Sequence, residues 1–178
     1  VAVDPVGNQD DLPVDIPAAV TLAMGATLSV TGTPNLNVTE GSNNAHQTVT
    51  INVALDRPIL TNQTLSWSVA GNAINGTDAV SGADFVGGVL PTGTLTLLAG
   101  ATTGQITFQI AGDNAIERTE GYQIVLSGTS GLDLSGIAPL AGTIANDDRA
   151  VISISALSAQ AVEGDTGSTP YQMTVTLD

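Results

Sequence analysis

Apolar and polar residues alternate through much of this chain, and this alternation restricts its fold more than any other feature. In the segment 48–55, for example, Val49, Ile51, Val53 and Leu55 fall on one face. The same pattern recurs in TLSVT (27–31), LSWSV (65–69), GTLTLL (93–98), QITFQI (105–110), YQIVL (122–126) and GTIA (142–145). Side chains of a strand alternate between two faces, so each segment predicts a half-buried β-strand. No apolar period of 3.6 residues persists, so we expect no long helix.

Turn signals separate these segments and indicate how the strands connect. They are DRP (56–58), NGTD (75–78) and LAGATTG (98–104). Short strands at this spacing predict an all-β fold, a two-sheet antiparallel β-sandwich of about seven strands, immunoglobulin-like, over residues 27–148. Because only 3% of residues are aromatic, the core must be built mainly from aliphatic side chains, with Trp67 as one core residue.

The sequence also repeats itself. NVTEG (37–41) leads into QTVTINVALD (47–56), and QAVEG (160–164) leads into YQMTVTLD (171–178). Each pair follows a strand, TLSVT or VISIS (151–155). We therefore expect a second, truncated copy of the domain over residues 149–178, after a first copy at 27–148. Residues 1–26 are interpreted as a linker or as the tail of a preceding repeat.

Charge excludes several classes of partner. Seventeen acids stand against three Arg and no Lys, which gives a formal net charge of −14. Nucleic acids and anionic membranes would repel such a chain, so cations are the expected partners. The absence of cysteine excludes disulfides and thiol-based sites. No apolar run approaches the ~20 residues of a membrane helix, so direct membrane insertion is not expected.

Acidic residues crowd into one short stretch despite their overall scarcity. Asp113, Glu117 and Glu120 lie within eight residues, directly before the strand at 122–126. Carboxylates this close repel one another, so the stretch is either a solvated turn or part of a cation site.

Five elements in order resemble the Calx-beta domain. They are Glu40-Gly41; Gly76-Thr77 through Asp84-Phe85; Gly93 to Gly100; Asp113, Glu117 and Glu120 with Tyr122; and Asp147-Asp148. Gly112 departs from the family, which often carries another Asp at this position. The departure implies that this chain binds fewer ions than the family members that bind the most.

The resemblance implies a Ca²⁺ site at one end of the sandwich, where the family's loops converge. The implied ligands are Glu40, Asp84, Asp113, Glu117, Glu120, Asp147 and Asp148. Ca²⁺ takes six to eight oxygen ligands in tolerant geometry, which suits such a set. Asp78 and Asp133 are interpreted instead as solvated turn acids.

Catalysis is not expected. His46 is the only histidine and lies in the polar loop GSNNAHQ, and no nucleophile motif accompanies it. Paired carboxylates as in glycosidases would lack aromatic residues to stack on a sugar. The chain is therefore predicted not to be an enzyme.

The sequence as a whole predicts a calcium-binding structural repeat of a large secreted or cell-surface protein, expected to be a bacterial adhesin. Calcium would stiffen the domain and its junction with neighbouring repeats, and residues 150–178 are expected to support self-association. Two alternatives stay open. One is a calcium-sensor domain within a larger protein, and the other is a calcium-independent, lectin-like binding module.

Overall fold

A computed structural model describes residues 25–157, 160, 162, 164–168 and 170–177. Every regular element in this part of the chain is a β-strand. The strands are β1 (Ala26–Thr31), β2 (Asn37–Thr39), β3 (Gln47–Leu55), β4 (Gln63–Gly71), β5 (Asp78–Ala79), β6 (Thr92–Leu97), β7 (Thr103–Ile110), β8 (Glu120–Gly128), β9 (Leu132–Asp133), β10 (Leu140–Ala145), β11 (Ile152–Ala156) and β12 (Met173–Leu177).

The first ten strands form the two sheets of a sandwich. One sheet has the order β7-β3-β1-β9, and the other has the order β2-β10-β8-β4-β6, with β5 added to β8. Seven of these strands are six residues or longer, and they are β1, β3, β4, β6, β7, β8 and β10. The predicted all-β sandwich of about seven strands is therefore confirmed.

Three short strands were not predicted, and they change the pairing pattern. The long strands pair antiparallel, as expected. The short strands β2, β5 and β9 instead pair in parallel with β10, β8 and β1. With two or three residues each, they are too short to show alternation, which is why the sequence pattern does not reveal them.

The core lies between the two sheets and is formed by the predicted apolar faces. All four apolar residues of the β3 face are buried, as are Leu65 and Val69 of β4. Trp67 packs against the edge of this core, with its ring centroid 6.0 Å from that of Phe108. Its cross-strand neighbour is Gly93, where a Cβ atom would come within 2.7 Å of the indole ring. Glycine is therefore required beside the tryptophan.

Strands β11 and β12 form a separate two-stranded antiparallel sheet, and among the described strands they pair only with each other. The predicted preceding segment, residues 1–26, lies outside the described residues except for Gly25 and Ala26. Parts of the second QAVEG segment, and Asp178, also lie outside them. In the part of the chain that the structure describes, no helix has the length and apolar character to cross a membrane.

Candidate metal site

One end of the sandwich collects most of the acidic residues singled out in the sequence. At this end β7 finishes and β8 begins, and β2 and β10, which run parallel, both finish there as well. Glu40 directly follows β2, Asp113 and Glu117 lie between β7 and β8, and Glu120 is the first residue of β8. We call this end the acidic pole. Its side chains form two groups of three carboxylates.

The first group, the Glu40 group, consists of Glu40, Asp113 and Asp148. One carboxylate oxygen from each lies within 4.8 Å of the other two. Glu40 is 5% exposed. Its Oε1 atom and Oδ2 of Asp148 are buried without a hydrogen-bond partner. Buried carboxylate oxygens normally have a partner, because leaving them bare costs free energy. A cation bound between these two carboxylates would satisfy both oxygens.

Hydrogen bonds of nearby residues fix the Asp113 carboxylate and the backbone of Asp148 in the Glu40 group. Oδ1 of Asp113 accepts a hydrogen bond from the Ala115 N–H at 2.6 Å. The Asp148 N–H donates to Oδ1 of Asn146 at 2.7 Å, and Nδ2 of Asn146 donates to the Ala115 carbonyl at 2.9 Å. Asn146 thus connects the segment after β10 to the β7–β8 loop. It was not singled out in the sequence, although it directly precedes the Asp-Asp pair.

The second group, the Asp84 group, consists of Asp84, Glu117 and Glu120, again with one oxygen from each within 4.8 Å of the others. Asp84 is 8% exposed, and its Oδ2 accepts a hydrogen bond from the Ser81 N–H at 2.6 Å. Its carbonyl accepts another from the Ala111 N–H at 2.9 Å, which ties the β5–β6 loop to the end of β7. Asp84 is therefore placed by backbone contacts before any cation binds.

Burial and mutual repulsion raise the pKa values of three carboxyl groups at the acidic pole. Burial, followed by the charges of Glu117, Asp113, Asp148 and Asp147, raises the pKa of Glu40 to about 7. Burial, followed by the charge of Asp84 and a hydrogen bond with it, raises the pKa of Glu120 to about 7. The pKa of Glu117 is also raised, first by burial and then by the charge of Asp84. The pole therefore resists full ionisation unless a cation offsets it.

Asp147, Asp78 and Asp133 lie outside both groups. Asp147 is exposed beside the Glu40 group and acts on it through its charge. Asp78 is exposed on β5, with Oδ2 3.7 Å from Nε of Arg118. Asp133 lies at the opposite end of the sandwich, on β9, where its Oδ1 accepts the Ser135 N–H at 3.0 Å. This bond lowers the pKa of Asp133.

Hydrogen bonds join the amide-rich loop GSNNAHQ to the β7–β8 loop of the acidic pole. Nδ2 of Asn114 donates to Oδ1 of Asn43 at 2.9 Å, and Oδ1 of Asn114 accepts the Asn43 N–H at 3.2 Å. Nδ1 of His46 accepts the Gly112 N–H at 3.3 Å. A Cβ atom on Gly112 would come within 2.3 Å of the Gly41 carbonyl oxygen. This contact explains why the chain carries glycine where the Calx-beta pattern often has an aspartate.

The chemistry of the pole suits hard cations. All donors in the two groups are carboxylate oxygens, which Ca²⁺ and Mg²⁺ prefer, whereas zinc favours nitrogen and sulfur. Of the seven predicted metal ligands, six belong to the two groups, and Asp147 lies beside them.

Comparison with known proteins supports the fold. No family model matches the sequence, and no curated protein matches it. The chain is similar to the crystal structure of the apo-form Calx CBD1 domain, with 20% identity, a TM-score of 0.52, and coverage of 70% of this chain and 99% of that one. It is also similar to CBD12 from CALX1.2, with 14% identity, a TM-score of 0.52, and coverage of 84% and 70%. The calcium binding domain CBD12 of CALX1.1 matches at 21% identity and a TM-score of 0.46, over 63% of this chain and 42% of that one. The first two likenesses show a shared sandwich fold.

Proposed function

We propose that this chain is a calcium-binding structural repeat of the Calx-beta type. The observation that carries the proposal is the pair of buried carboxylate oxygens without partners, Oε1 of Glu40 and Oδ2 of Asp148. They belong to the same compact group of three acids. A cation is the ligand that would satisfy both oxygens at once.

Electrostatics favours a divalent ion at this place. Two like charges 4 Å apart repel by about 1 kcal/mol in water and by about 4 kcal/mol near a protein surface. Each group brings three carboxylates within such distances. A doubly charged cation converts this repulsion into attraction, so the same residues that destabilise the metal-free fold stabilise the loaded one.

Calcium fits better than magnesium because the site is built from separate segments. The carboxylates come from the ends of β2, β7 and β10, from the β5–β6 loop and from the start of β8. Ca²⁺ accepts six to eight oxygens in variable geometry, so backbone carbonyls and water can complete its shell. Mg²⁺ demands a near-ideal octahedron and gives up its water reluctantly. The resemblance of the sequence elements to the Calx-beta pattern supports the same choice of ion.

We propose a structural role, without catalysis, in a large secreted or cell-surface protein, expected to be bacterial and to act in adhesion. The segments that supply the carboxylates meet only in the folded state, so calcium binding is coupled to folding. Asp148 is separated from β11 by only three residues, which supports a cation that also stiffens the junction to the next repeat. The amide side chain of Asn43, in the GSNNAHQ loop, bonds to that of Asn114, in the β7–β8 loop, which supports a structural role for GSNNAHQ rather than lectin-like binding.

Calorimetric titration of the metal-free chain with Ca²⁺ and with Mg²⁺ tests the proposal. We expect Ca²⁺ to bind with millimolar or tighter affinity, the range of extracellular modules or better, and Mg²⁺ to bind at least ~10-fold more weakly. Glu40→Gln should weaken Ca²⁺ binding, whereas the matched change Asp133→Asn at the opposite end should leave it unchanged. Equal titrations for the two variants would place the cation outside the Glu40 group.

A further inference from the structure

Asn146 directly follows β10, and both polar ends of its half-buried side chain are engaged. Its Oδ1 atom accepts the Asp148 N–H at 2.7 Å, which closes an Asx turn within the same segment. Its Nδ2 atom donates to the Ala115 carbonyl at 2.9 Å, in the β7–β8 loop. One amide side chain therefore bonds to two segments that are distant in the chain.

Ala115 extends this connection to a second carboxylate of the Glu40 group. Its N–H donates to Oδ1 of Asp113 at 2.6 Å, while its carbonyl accepts the bond from Asn146. The same residue thus holds the Asp113 carboxylate on one side and Asn146 on the other. A continuous row of hydrogen bonds therefore runs from the Asp113 carboxylate to the backbone of Asp148.

The residue before Asn146 holds the third member of the group. The parallel pairing of β2 with β10 ends at Thr39 and Ala145. The Glu40 N–H then donates to the Ala145 carbonyl at 3.1 Å. All three acids of the Glu40 group are therefore connected to Ala145 and Asn146, two of them by a direct backbone bond and Asp113 through Ala115.

The Asn146 side chain makes these bonds without carrying a charge. The three carboxylates have oxygens within 4.8 Å of one another, so their repulsion drives them apart before any cation binds. An arginine or lysine could also hold them, but its charge would compete with the cation. A carboxamide offers a donor and an acceptor at once, whereas an ionised carboxylate only accepts. Asparagine can therefore hold the group together without neutralising it.

We propose that Asn146 is a positioning residue of the cation site, an inference that rests on the calcium-binding function proposed above. Asn146 fixes Asp148 within reach of Glu40 and Asp113 before the ion arrives, and this preorganisation lowers the free-energy cost of binding. Because both ends of its side chain are already bonded, it acts through Asp148 and Ala115 and does not itself bind the ion. Residues that orient metal ligands typically contribute roughly 10- to 100-fold to metal affinity.

Calorimetric titration of the full chain with Ca²⁺ gives the first test. Asn146→Ala removes both bonds and should raise the Kd by about tenfold or more. Asn146→Asp keeps the acceptor for the Asp148 N–H, loses the donor to the Ala115 carbonyl, and adds a negative charge. A residue that acted only through its charge would bind Ca²⁺ more tightly after this change. We expect weaker binding, because the bond to the β7–β8 loop is lost.

Asn62 provides the matched control. It directly precedes β4, at the end of the sandwich opposite the acidic pole, and its Oδ1 accepts the Ala99 N–H at 2.9 Å. Asn62→Ala and Asn62→Asp should change the Kd by less than about twofold. Wild-type binding that Asn146→Ala leaves unchanged, or that Asn146→Asp tightens, would overturn the positioning role alone. A wild-type chain that binds no Ca²⁺ would overturn the proposed function and this inference together.

Europium luminescence separates positioning from a loss of fold stability. Eu³⁺ binds oxygen ligands as Ca²⁺ does, and its luminescence lifetimes in light and heavy water count the water molecules bound to it. We expect the Eu³⁺ bound to Asn146→Ala to carry about one more water than in the wild type, because water replaces the displaced Asp148 carboxylate. Asn62→Ala should match the wild type. Weaker binding by Asn146→Ala with an unchanged water count would show that Asn146 only stabilises the fold, and would contradict the proposal.

Discussion

Each of the two acidic groups contains three carboxylates with one oxygen from each within 4.8 Å of the others, but the groups differ in how their buried oxygens are satisfied. In the Asp84 group, the Ser81 N–H donates to Oδ2 of Asp84, and a hydrogen bond with Asp84 contributes to the raised pKa of Glu120. In the Glu40 group, two buried oxygens have no partner. The protein itself supplies a donor to the first group, whereas the two buried oxygens of the second have no donor in the part of the chain that the structure describes.

This difference shows that the number of acids does not measure the demand for a cation. What matters is how many buried oxygens the protein itself leaves without a donor. We therefore expect the Glu40 group to bind metal more strongly and the Asp84 group to alternate between a bound proton and a bound cation. Four measurements can test this contrast.

The largest effect should come from calcium itself. A ligand that binds only the folded state adds about 2.7 kcal/mol at one hundred times its Kd. For a domain of this size, that corresponds to a rise in Tm of roughly 10 °C. Differential scanning calorimetry with millimolar Ca²⁺ and with chelator measures it. Superimposable melting curves in Ca²⁺ and in chelator would contradict calcium binding at either group.

The next largest effect should distinguish the groups directly. Glu40→Gln removes one of the carboxylates whose buried oxygens have no donor within the protein, so we expect the Kd for Ca²⁺ to rise at least tenfold, or about 1.4 kcal/mol. Glu120→Gln resembles the protonated form of Glu120 and should raise the Kd less. Isothermal titration of the two variants is the measurement. A larger loss for Glu120→Gln would reverse the proposed order.

A smaller effect, on the stability of the metal-free fold, should come from a change of pH. The pKa values of Glu40 and Glu120 are raised from 4.5 to about 7 in the folded chain. The metal-free fold therefore holds protons that the unfolded chain releases, and its stability falls as pH rises from about 4.5 to about 7. Calcium must displace those protons, so its affinity rises over the same window.

Melting curves in calcium-free buffer at pH 5 and pH 8 check the sign of this effect, with Glu120→Gln and Glu40→Gln for comparison. We expect the metal-free wild type to melt a few degrees lower at pH 8. Each variant should lose part of that difference. A metal-free chain that is more stable at pH 8 would contradict the raised pKa values.

The smallest effect should come from Asp147. It lies outside both groups, and its charge is the weakest of the causes that raise the pKa of Glu40. Asp147→Asn should therefore raise the Kd for Ca²⁺ by only about twofold, as expected for an exposed charge acting through solvent. A loss comparable to that of Glu40→Gln would make Asp147 a direct ligand.

The sequence predicted the fold well because alternation is a local property. The face of β3 can be read from one segment, and the structure buries it as expected. The short strands β2, β5 and β9 could not be predicted, because their pairing depends on neighbours distant in the chain. The grouping of the acidic side chains could not be predicted for the same reason, because it also depends on residues distant in the chain.

Proximity in sequence was a poor guide to proximity at the acidic pole. Asp113, Glu117 and Glu120 crowd together in the chain, but Asp113 joins Glu40 and Asp148, while the other two join Asp84. The division depends on how the β5–β6 loop and the segment after β10 approach the β7–β8 loop. Motif spacing indicated which residues belong to the pole, but it could not indicate their grouping or the unsatisfied oxygens.

The parallel pairing of β2 with β10 has a mechanical consequence. The two strands run side by side through three residue pairs, Asn37 with Thr143 to Thr39 with Ala145. If tension pulled the chain before β2 and the chain after β10 in opposite directions, these hydrogen bonds would be sheared together instead of opening one by one. Glu40 and Asp148 lie just beyond the ends of the two strands. A cation held between them would crosslink the two strand ends, and the strands could slide past each other only after the cation had dissociated.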